Sequence, residues 1–156
     1  HILSFYGNLL LCRTPKLKSM NNQTQMEKAL EKWHLFTTSK DPKYLDELLA
    51  DDVVFYSPIV HAPQKGKWIT TGYLMSAMMI LGADKSKFTY VKEVMNTKDA
   101  ILEFTAEIDG ISINGVDMIS VNEAGKLNVF KVMIRPLKAV NLIHEKMGEI
   151  LKEMQT

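Results

Sequence analysis

The chain has 156 residues, of which 46% are hydrophobic and 24% charged, a composition typical of one globular domain with a sizeable core. Its 19 basic residues nearly balance its 18 acidic ones, and no segment after Met20 concentrates basic side chains, so neither nucleic acid nor an anionic membrane is an expected partner. The single cysteine, Cys12, excludes an internal disulfide, and no apolar run is long enough to span a bilayer.

Residues 1–19 differ from the rest of the chain, because they contain three basic side chains and no acidic one. We expect a single domain over residues 20–156, beginning at Met20, and a leader or non-native extension over residues 1–19. That extension could be a mitochondrial-type transit peptide, a truncated signal, or translated upstream sequence. The expected location is cytoplasmic, or mitochondrial if residues 1–19 belong to a transit peptide.

Two helices are expected at the start of the domain. Apolar residues at helical spacing predict an amphipathic helix over residues 22–37, with Trp33 on its inner stripe. Asp41 followed by Pro42 is typical of a helix start, since the aspartate can cap the first turn and proline fits the first helical position. A short second helix is therefore expected over residues 42–49.

Residues 53–57 form a β-rich run that Pro58 closes, and a loop leads from there to a third helix expected over residues 67–81. Turn-forming residues divide the remaining chain into further strands, expected over residues 88–95, 100–108, 111–121 and 127–134. A closing amphipathic helix is expected over residues 137–154. This order indicates an α+β fold, with helices packed on one face of a curved sheet of antiparallel strands.

The hairpin formed by the last two strands carries one residue that does not match its surroundings. Because side chains alternate along a strand, Asp117 shares a face with Ile119 and Val121. A carboxyl group on an apolar face must be hydrogen-bonded, or else protonated with a raised pKa. Asp117 is therefore the leading candidate for a functional residue.

Several pieces of the chain agree in order and spacing with one known family: Asp41, the run Leu-Leu-Ala-Asp-Asp-Val-Val-Phe-Tyr-Ser-Pro over residues 48–58, Gly66, and the hairpin over residues 117–132. In these pieces the chain resembles the nuclear transport factor 2-like superfamily, in particular its SnoaL-like and ketosteroid-isomerase-like branch. The resemblance implies a cone-shaped curved antiparallel sheet wrapped around the N-terminal helices, with a C-terminal helix and a mostly apolar pocket. It also implies a homodimer formed through the outer face of the sheet.

The resemblance carries over unevenly to the residues that do chemistry in ketosteroid isomerases. Asp117 lies where those enzymes keep the protonated aspartic acid of the oxyanion hole. Ser57 lies where they keep the aspartate that abstracts the substrate proton, and Trp33 where they keep the tyrosine of the oxyanion hole. A serine hydroxyl is not basic near neutral pH and an indole N–H is not an acid, so we expect no steroid isomerase activity.

Two residues are candidates for proton transfer. Asp117 could be a general acid or a proton shuttle, as the resemblance to polyketide cyclases implies, or it could merely cap a buried network with Trp33 or Tyr56. His61, in the loop after the first strand, could supply the base that Ser57 cannot, because imidazole titrates near neutral pH. The alternative for His61 is an ordinary exposed loop histidine.

The remaining candidates would line a ligand cavity or belong to an ordinary core; they are Trp33, Phe55, Ser57, Phe104, Phe130 and Val132. No cysteine and histidine cluster has metal-ligand spacing, and no glycine-rich loop of the phosphate-binding kind occurs, so neither a metal nor a cofactor is expected. The leading function is a pocket for a small apolar organic molecule; if the protein is an enzyme, we expect cofactor-free acid–base chemistry of the isomerase, cyclase or hydratase type. The alternative is a non-catalytic module for ligand binding, protein interaction or dimerisation.

Overall fold

The computed structural model describes residues 23–153, so the expected extension over residues 1–19 and the expected helix end at residue 154 lie outside the described residues. The elements, in chain order, are α1 (Gln25–Ser39), α2 (Pro42–Leu48), β1 (Leu49–Tyr56), β2 (Gln64–Lys65), α3 (Lys67–Leu81), β3 (Thr89–Met95), β4 (Asp99–Ile108), β5 (Ile111–Val121), β6 (Leu127–Arg135) and α4 (Leu137–Glu153). Within residues 23–153, no helix is both long enough and apolar enough to cross a membrane.

The strands form one open, curved sheet in the order β2-β1-β6-β5-β4-β3. Strands β3 to β6 pair antiparallel through successive hairpin connections. In contrast, β1 runs parallel to β6, so the sheet is mixed rather than antiparallel throughout. The two strands are joined by α3 and four intervening strands, and such a long connection does not impose the antiparallel direction that a hairpin would. The predicted α+β class, with its curved sheet and C-terminal helix, is confirmed.

Local capping groups determine where the first two helices begin. The Thr24 hydroxyl accepts a hydrogen bond from the backbone N–H of Glu27, and the Glu27 carboxylate accepts one from the backbone of Thr24. This reciprocal capping box starts α1 at Gln25, three residues later than the apolar spacing alone predicts. Asp41 caps α2 through the backbone N–H of Lys43 at 3.0 Å, as predicted.

The core lies between the concave face of the sheet and the helices. Along β5 the buried side chains alternate as predicted, so that Asp117 shares the inner face with Ile113, Ile119 and Val121. The inner stripe of α1 packs onto this face, with Trp33 only 3% exposed. The short strand β2 was not predicted, because two residues carry no alternation; it pairs with Val54 and Phe55, near the C-terminal end of β1.

Candidate functional site

A cavity opens between the concave face of the sheet and the helices. Its empty volume, counted to the open mouth, is about 640 Å³, and the centre of a water molecule can occupy about 60 Å³. Most of the candidates chosen from the sequence line it: Trp33, Phe55, Ser57, Phe104, Asp117, Phe130 and Val132. His61 is exposed in the loop after β1 and is not among the lining residues. The fold thus brings the predicted residues of five elements and of the loop after β1 around one space and leaves His61 outside it.

Asp117 lies at the end of a chain of hydrogen bonds that crosses the cavity wall. The indole Nε1–H of Trp33 donates to the hydroxyl oxygen of Tyr90 at 2.8 Å. The Tyr90 hydroxyl in turn donates to Oδ2 of Asp117 at 2.6 Å. We call these three side chains the relay. The expected alternative partner, Tyr56, points to the outer face of the sheet, where the Lys131 ammonium lies 4.8 Å from its ring centre.

Burial dominates the electrostatics of the relay. Asp117 is 5% exposed, and this desolvation raises the pKa of its carboxyl to about 7, although the hydrogen bond from Tyr90 opposes the shift. Burial, together with the neighbouring carboxylate, raises the pKa of the Tyr90 hydroxyl well above its ordinary value. Asp117 can therefore exchange a proton near neutral pH, while Tyr90 keeps its own proton and acts as a donor.

Tyr90 is the residue of the site that sequence reasoning missed. It lies on β3, where the register with β4 shifts between Tyr90 and Lys92. The bulge breaks the alternation, so Val91 and Val94 are exposed although both are apolar. A usable signal was the pair Phe88 and Tyr90, two positions apart ahead of the bulge, which share a face and pack edge-on with ring centres 5.1 Å apart.

Aromatic rings form the apolar wall around the relay. Trp33 packs against Phe130 with ring centres 4.9 Å apart, and Phe130 against Phe55 at 6.0 Å. On the other side, Phe104 lies over Gly115, its direct partner on β5, so closely that an added Cβ on the glycine would be 2.2 Å from the ring. The absence of a side chain at Gly115 therefore sets the position of Phe104 beside the carboxyl group.

Ser57 sits on the loop side of the cavity, and its hydroxyl oxygen is used locally. It accepts hydrogen bonds from the backbone N–H groups of Ile59 at 3.0 Å and Val60 at 3.3 Å, which is a serine turn. Among the described residues that line the cavity there is no lysine, arginine or histidine, and the titratable side chains are Tyr73, Tyr90 and Asp117. Nor does any part of residues 23–153 hold three or more side chains grouped as metal ligands.

Solved structures share this fold over most of the chain. A steroid delta-isomerase from Pseudomonas aeruginosa superposes with a TM-score of 0.79 at 27% identity, covering 88% of this chain and 98% of its own. A bacterial protein with a cystatin-like fold from Silicibacter pomeroyi gives 0.74 at 26% identity, covering 82% and 88%. A nuclear transport factor 2-like protein of unknown function from Mesorhizobium loti gives 0.63 at 16% identity, covering 72% and 92%.

The chain has the fold of the nuclear transport factor 2-like proteins. The sequence matches no protein-family model, and no curated protein matches it. The three positions that the resemblance pointed to, Trp33, Ser57 and Asp117, all line one cavity. Trp33 reaches Asp117 only through Tyr90, so the donor beside the carboxyl group comes from β3 and not from α1.

Proposed function

We propose that this domain binds a small, neutral, largely apolar organic molecule, and that Asp117 gives a proton to it or takes one from it. The observation that carries the proposal is a carboxyl group whose pKa burial raises to about 7, set in the wall of an apolar cavity. A buried acid with no cationic partner is costly to keep, and such groups are concentrated at functional sites.

The shape and charge of the cavity limit the ligand. A space of about 640 Å³ that includes the mouth, with about 60 Å³ open to the centre of a water molecule, suits a one- or two-ring skeleton better than a four-ring steroid. Because none of the described lining residues is basic, a carboxylate or phosphate ligand would be desolvated without compensation. The ligand is therefore a neutral compound with one polar group.

The chemistry available is acid–base catalysis without a cofactor. In its protonated form Asp117 can donate to a carbonyl oxygen as that oxygen becomes negative; in its ionised form it can accept a proton from the ligand. Isomerisation, cyclisation and hydration all contain such a step. The hydrogen bond that the Tyr90 hydroxyl donates to Asp117 stabilises the ionised form of the carboxyl group. The Pseudomonas aeruginosa neighbour is named a steroid delta-isomerase. We do not expect that activity in this domain, because Ser57 and Trp33 lie where the resemblance to ketosteroid isomerases implies a base and a tyrosine.

A second candidate is binding without catalysis, and Ser57 favours it. Its hydroxyl caps a turn and has no basicity near neutral pH, so the loop side of the cavity offers no second group to pass a proton on. In that case the relay would serve only to hold a ligand oxygen in place.

Hydrogen exchange in a ketone of the right size separates the two candidates. The full chain is incubated in D2O with 1-indanone, and loss of the proton signal at carbon 2 is followed by NMR. Wild-type protein should accelerate the exchange, and Asp117→Asn should reduce that acceleration about 100- to 10,000-fold, the usual range for a positioned acid or base. The control is Asp51→Asn, whose side chain is fully exposed. Binding of the ketone by the wild type with no accelerated exchange would favour the non-catalytic candidate.

We also propose that two copies associate through the outer face of the sheet. Val94 and Ile101 are paired neighbours on that face, with 48% and 41% of their surfaces exposed, and Met133 lies two strands away at 55%. Exposed apolar side chains clustered on one face are typical of an interface. Sedimentation should show a dimer that Ile101→Glu weakens at least about tenfold, whereas Leu35→Glu on α1 should leave it unchanged. A monomer at high concentration would contradict the proposal.

A further inference from the structure

The direction of the hydrogen bonds in the relay is fixed by its first member. An indole N–H can donate but never accept, so the Tyr90 oxygen must be the acceptor of the 2.8 Å contact with Trp33. The single hydroxyl proton of Tyr90 is then directed to Oδ2 of Asp117, 2.6 Å away. Oδ2 is therefore an acceptor whether or not Asp117 is ionised.

We infer that Trp33 and Tyr90 are positioning residues that keep the exchangeable proton of Asp117 on Oδ1, so that the cavity selects ligands with one neutral acceptor oxygen, such as a carbonyl. The inference rests on the proposed function, because it names the ligand class for the same cavity and assigns Asp117 the acid role within it. It goes beyond that function in stating which oxygen carries the proton and which residues enforce this.

The alternative position for the proton leaves polar atoms unsatisfied. If Oδ2 carried it, the Tyr90 oxygen would face two donors, and its own proton would have no acceptor within residues 23–153. With the proton on Oδ1, every hydrogen-bonding group of the relay is paired except Oδ1 itself. Oδ1 accepts no hydrogen bond from residues 23–153, yet it is not among their fully buried atoms without a partner, so it is open to the cavity. A buried donor without a partner costs more than an open one, which favours Oδ1.

Other ionisable groups near the relay do not provide a competing charge. His34 on α1 packs edge-on against the Tyr90 ring at 5.6 Å, but its Nε2 lies 2.8 Å from the Glu93 carboxylate at the half-exposed rim. Tyr73 on α3 also lines the cavity. The group that changes charge inside the cavity between weakly acidic and weakly basic pH is thus Asp117, whose pKa is about 7.

Ligands that share one skeleton test the predicted selectivity. Indane has no polar atom, 1-indanone has an acceptor only, and 5-indanol has both an acceptor and a donor. Calorimetry with the full chain at pH 5.5 should show 1-indanone binding about five- to tenfold more tightly than indane, the gain expected of one buried hydrogen bond. At pH 8.5, where Oδ1 has lost its proton, this advantage should vanish for 1-indanone and persist for 5-indanol.

Substitutions in the relay test the positioning role without any ligand. The Asp117 carboxyl is titrated by carbon-13 NMR in wild type, Trp33→Phe and Tyr90→Phe. Its pKa should rise in Trp33→Phe, because Tyr90 becomes a weaker donor, and rise further in Tyr90→Phe, which lacks the donor but keeps the ring. The matched controls are Trp68→Phe, at an 89% exposed side chain, and Tyr56→Phe on the outer face of the sheet. A merely structural Trp33 would lower the melting temperature without moving this pKa.

The outcomes separate failure of the inference from failure of the proposed function. Equal binding of indane and 1-indanone at pH 5.5 would overturn the inference and leave the apolar pocket standing. An Asp117 pKa that does not move in Tyr90→Phe would also overturn it, whatever the ligand result. Failure of all three compounds to bind would overturn the small-molecule cavity and its selectivity together.

Discussion

The two walls of the cavity are built in opposite ways. On the sheet wall, Asp117 projects from β5, which is paired with a strand on each side, and Tyr90 projects from the edge strand β3; their side chains bond to each other. On the loop wall, Ser57 directs its hydroxyl oxygen back to its own backbone, and His61, four residues on, is exposed. One wall carries a preorganised proton donor, and the other carries only groups that shape the loop.

This difference indicates where chemistry can occur. A titratable group that is to work in an apolar cavity needs a rigid support and satisfied neighbours, and a strand in the middle of a sheet provides both. The loop holds its shape through the Ser57 turn, and its exposed histidine, His61, does not line the cavity. In the proposed function, a single carboxyl group therefore moves the proton.

Replacing Asp117 in the sheet wall should produce the largest effect, which is on the pH dependence of the free energy of unfolding. Folding raises the pKa of Asp117 to about 7 from about 3.9 in the unfolded chain, so the folded state holds this proton more tightly. Between about pH 4 and pH 7 the unfolded chain releases the proton first, and stability falls by up to about 4 kcal/mol, with no further loss from this group above pH 7.

Asp117→Asn should remove this pH dependence while keeping an acceptor for Tyr90. Urea unfolding of both proteins between pH 4 and pH 8 gives the free energy of unfolding, and the variant should gain on the wild type as the pH rises to about 7, with little further change up to pH 8. Parallel pH profiles for the two proteins would mean that the carboxyl group has an ordinary pKa, and the sheet wall would lose its distinction from the loop.

Gly115 offers a way to disturb the sheet wall through Phe104 and not by replacing a side chain of the relay. Gly115→Ala places a methyl group 2.2 Å from the present position of the Phe104 ring, which must then move; its aromatic neighbours are Phe88 at 5.1 Å and Tyr90 at 6.3 Å between ring centres. Such overpacking should cost about 1–3 kcal/mol in the free energy of unfolding and weaken 1-indanone binding.

The matched control is Gly72→Ala in α3, where an added Cβ meets nothing within 4 Å. Exchanging this helical glycine should stabilise the protein by up to about 1 kcal/mol and leave binding unchanged. If Gly115→Ala behaved in the same way, Phe104 would be free to relax, and its ring would not define the cavity.

The contrast between the walls also explains what the sequence could and could not predict. Alternation on β4 and β5 assigned Phe104 and Asp117 to the inner face, and the helical period did the same for Trp33; on β6 the buried residues Leu127 and Phe130 are three positions apart. The alternation on β4 and β5 and the helical period depend only on residues close together in the chain, so the structure agrees with them. The positions of these side chains around one cavity followed from the resemblance and from no single pattern.

Tyr90 was missed because a bulge interrupts the alternation directly after it, and the apolar Val91 and Val94 suggested no inner face; the spacing of Phe88 and Tyr90 was the signal that remained. The parallel pairing of β1 with β6 depends on contacts between distant parts of the chain, which no local pattern encodes. The sequence also did not predict that the Ser57 hydroxyl oxygen accepts a hydrogen bond from its own loop, since a serine before proline fits both a functional site and a turn.

Introducing a base on the loop wall should increase the rate of proton exchange. Ser57→Asp retains an oxygen that can accept from Ile59 and Val60, so the turn can survive, and it adds a carboxylate to the cavity. With Asp117 as the acid, we expect 1-indanone exchange in D2O to speed up about tenfold or more. Ser57→Asn, which keeps the turn acceptor but cannot take up a proton, should show no gain; equal rates in the two variants would mean that this position does not reach the reacting carbon.

Removing His61 should have the smallest effect, and this makes it a sharp test of the loop wall. The imidazole is exposed and does not line the cavity, so His61→Ala should change the rate of 1-indanone exchange by less than about twofold, as expected of a surface side chain without partners at the site. His144→Ala, at an exposed position of α4, is the control for losing a histidine elsewhere. A tenfold loss confined to His61→Ala would show that the loop closes over the ligand and brings a base to it. The loop wall would then take part in proton transfer, and the view of Asp117 as the single proton carrier would be wrong.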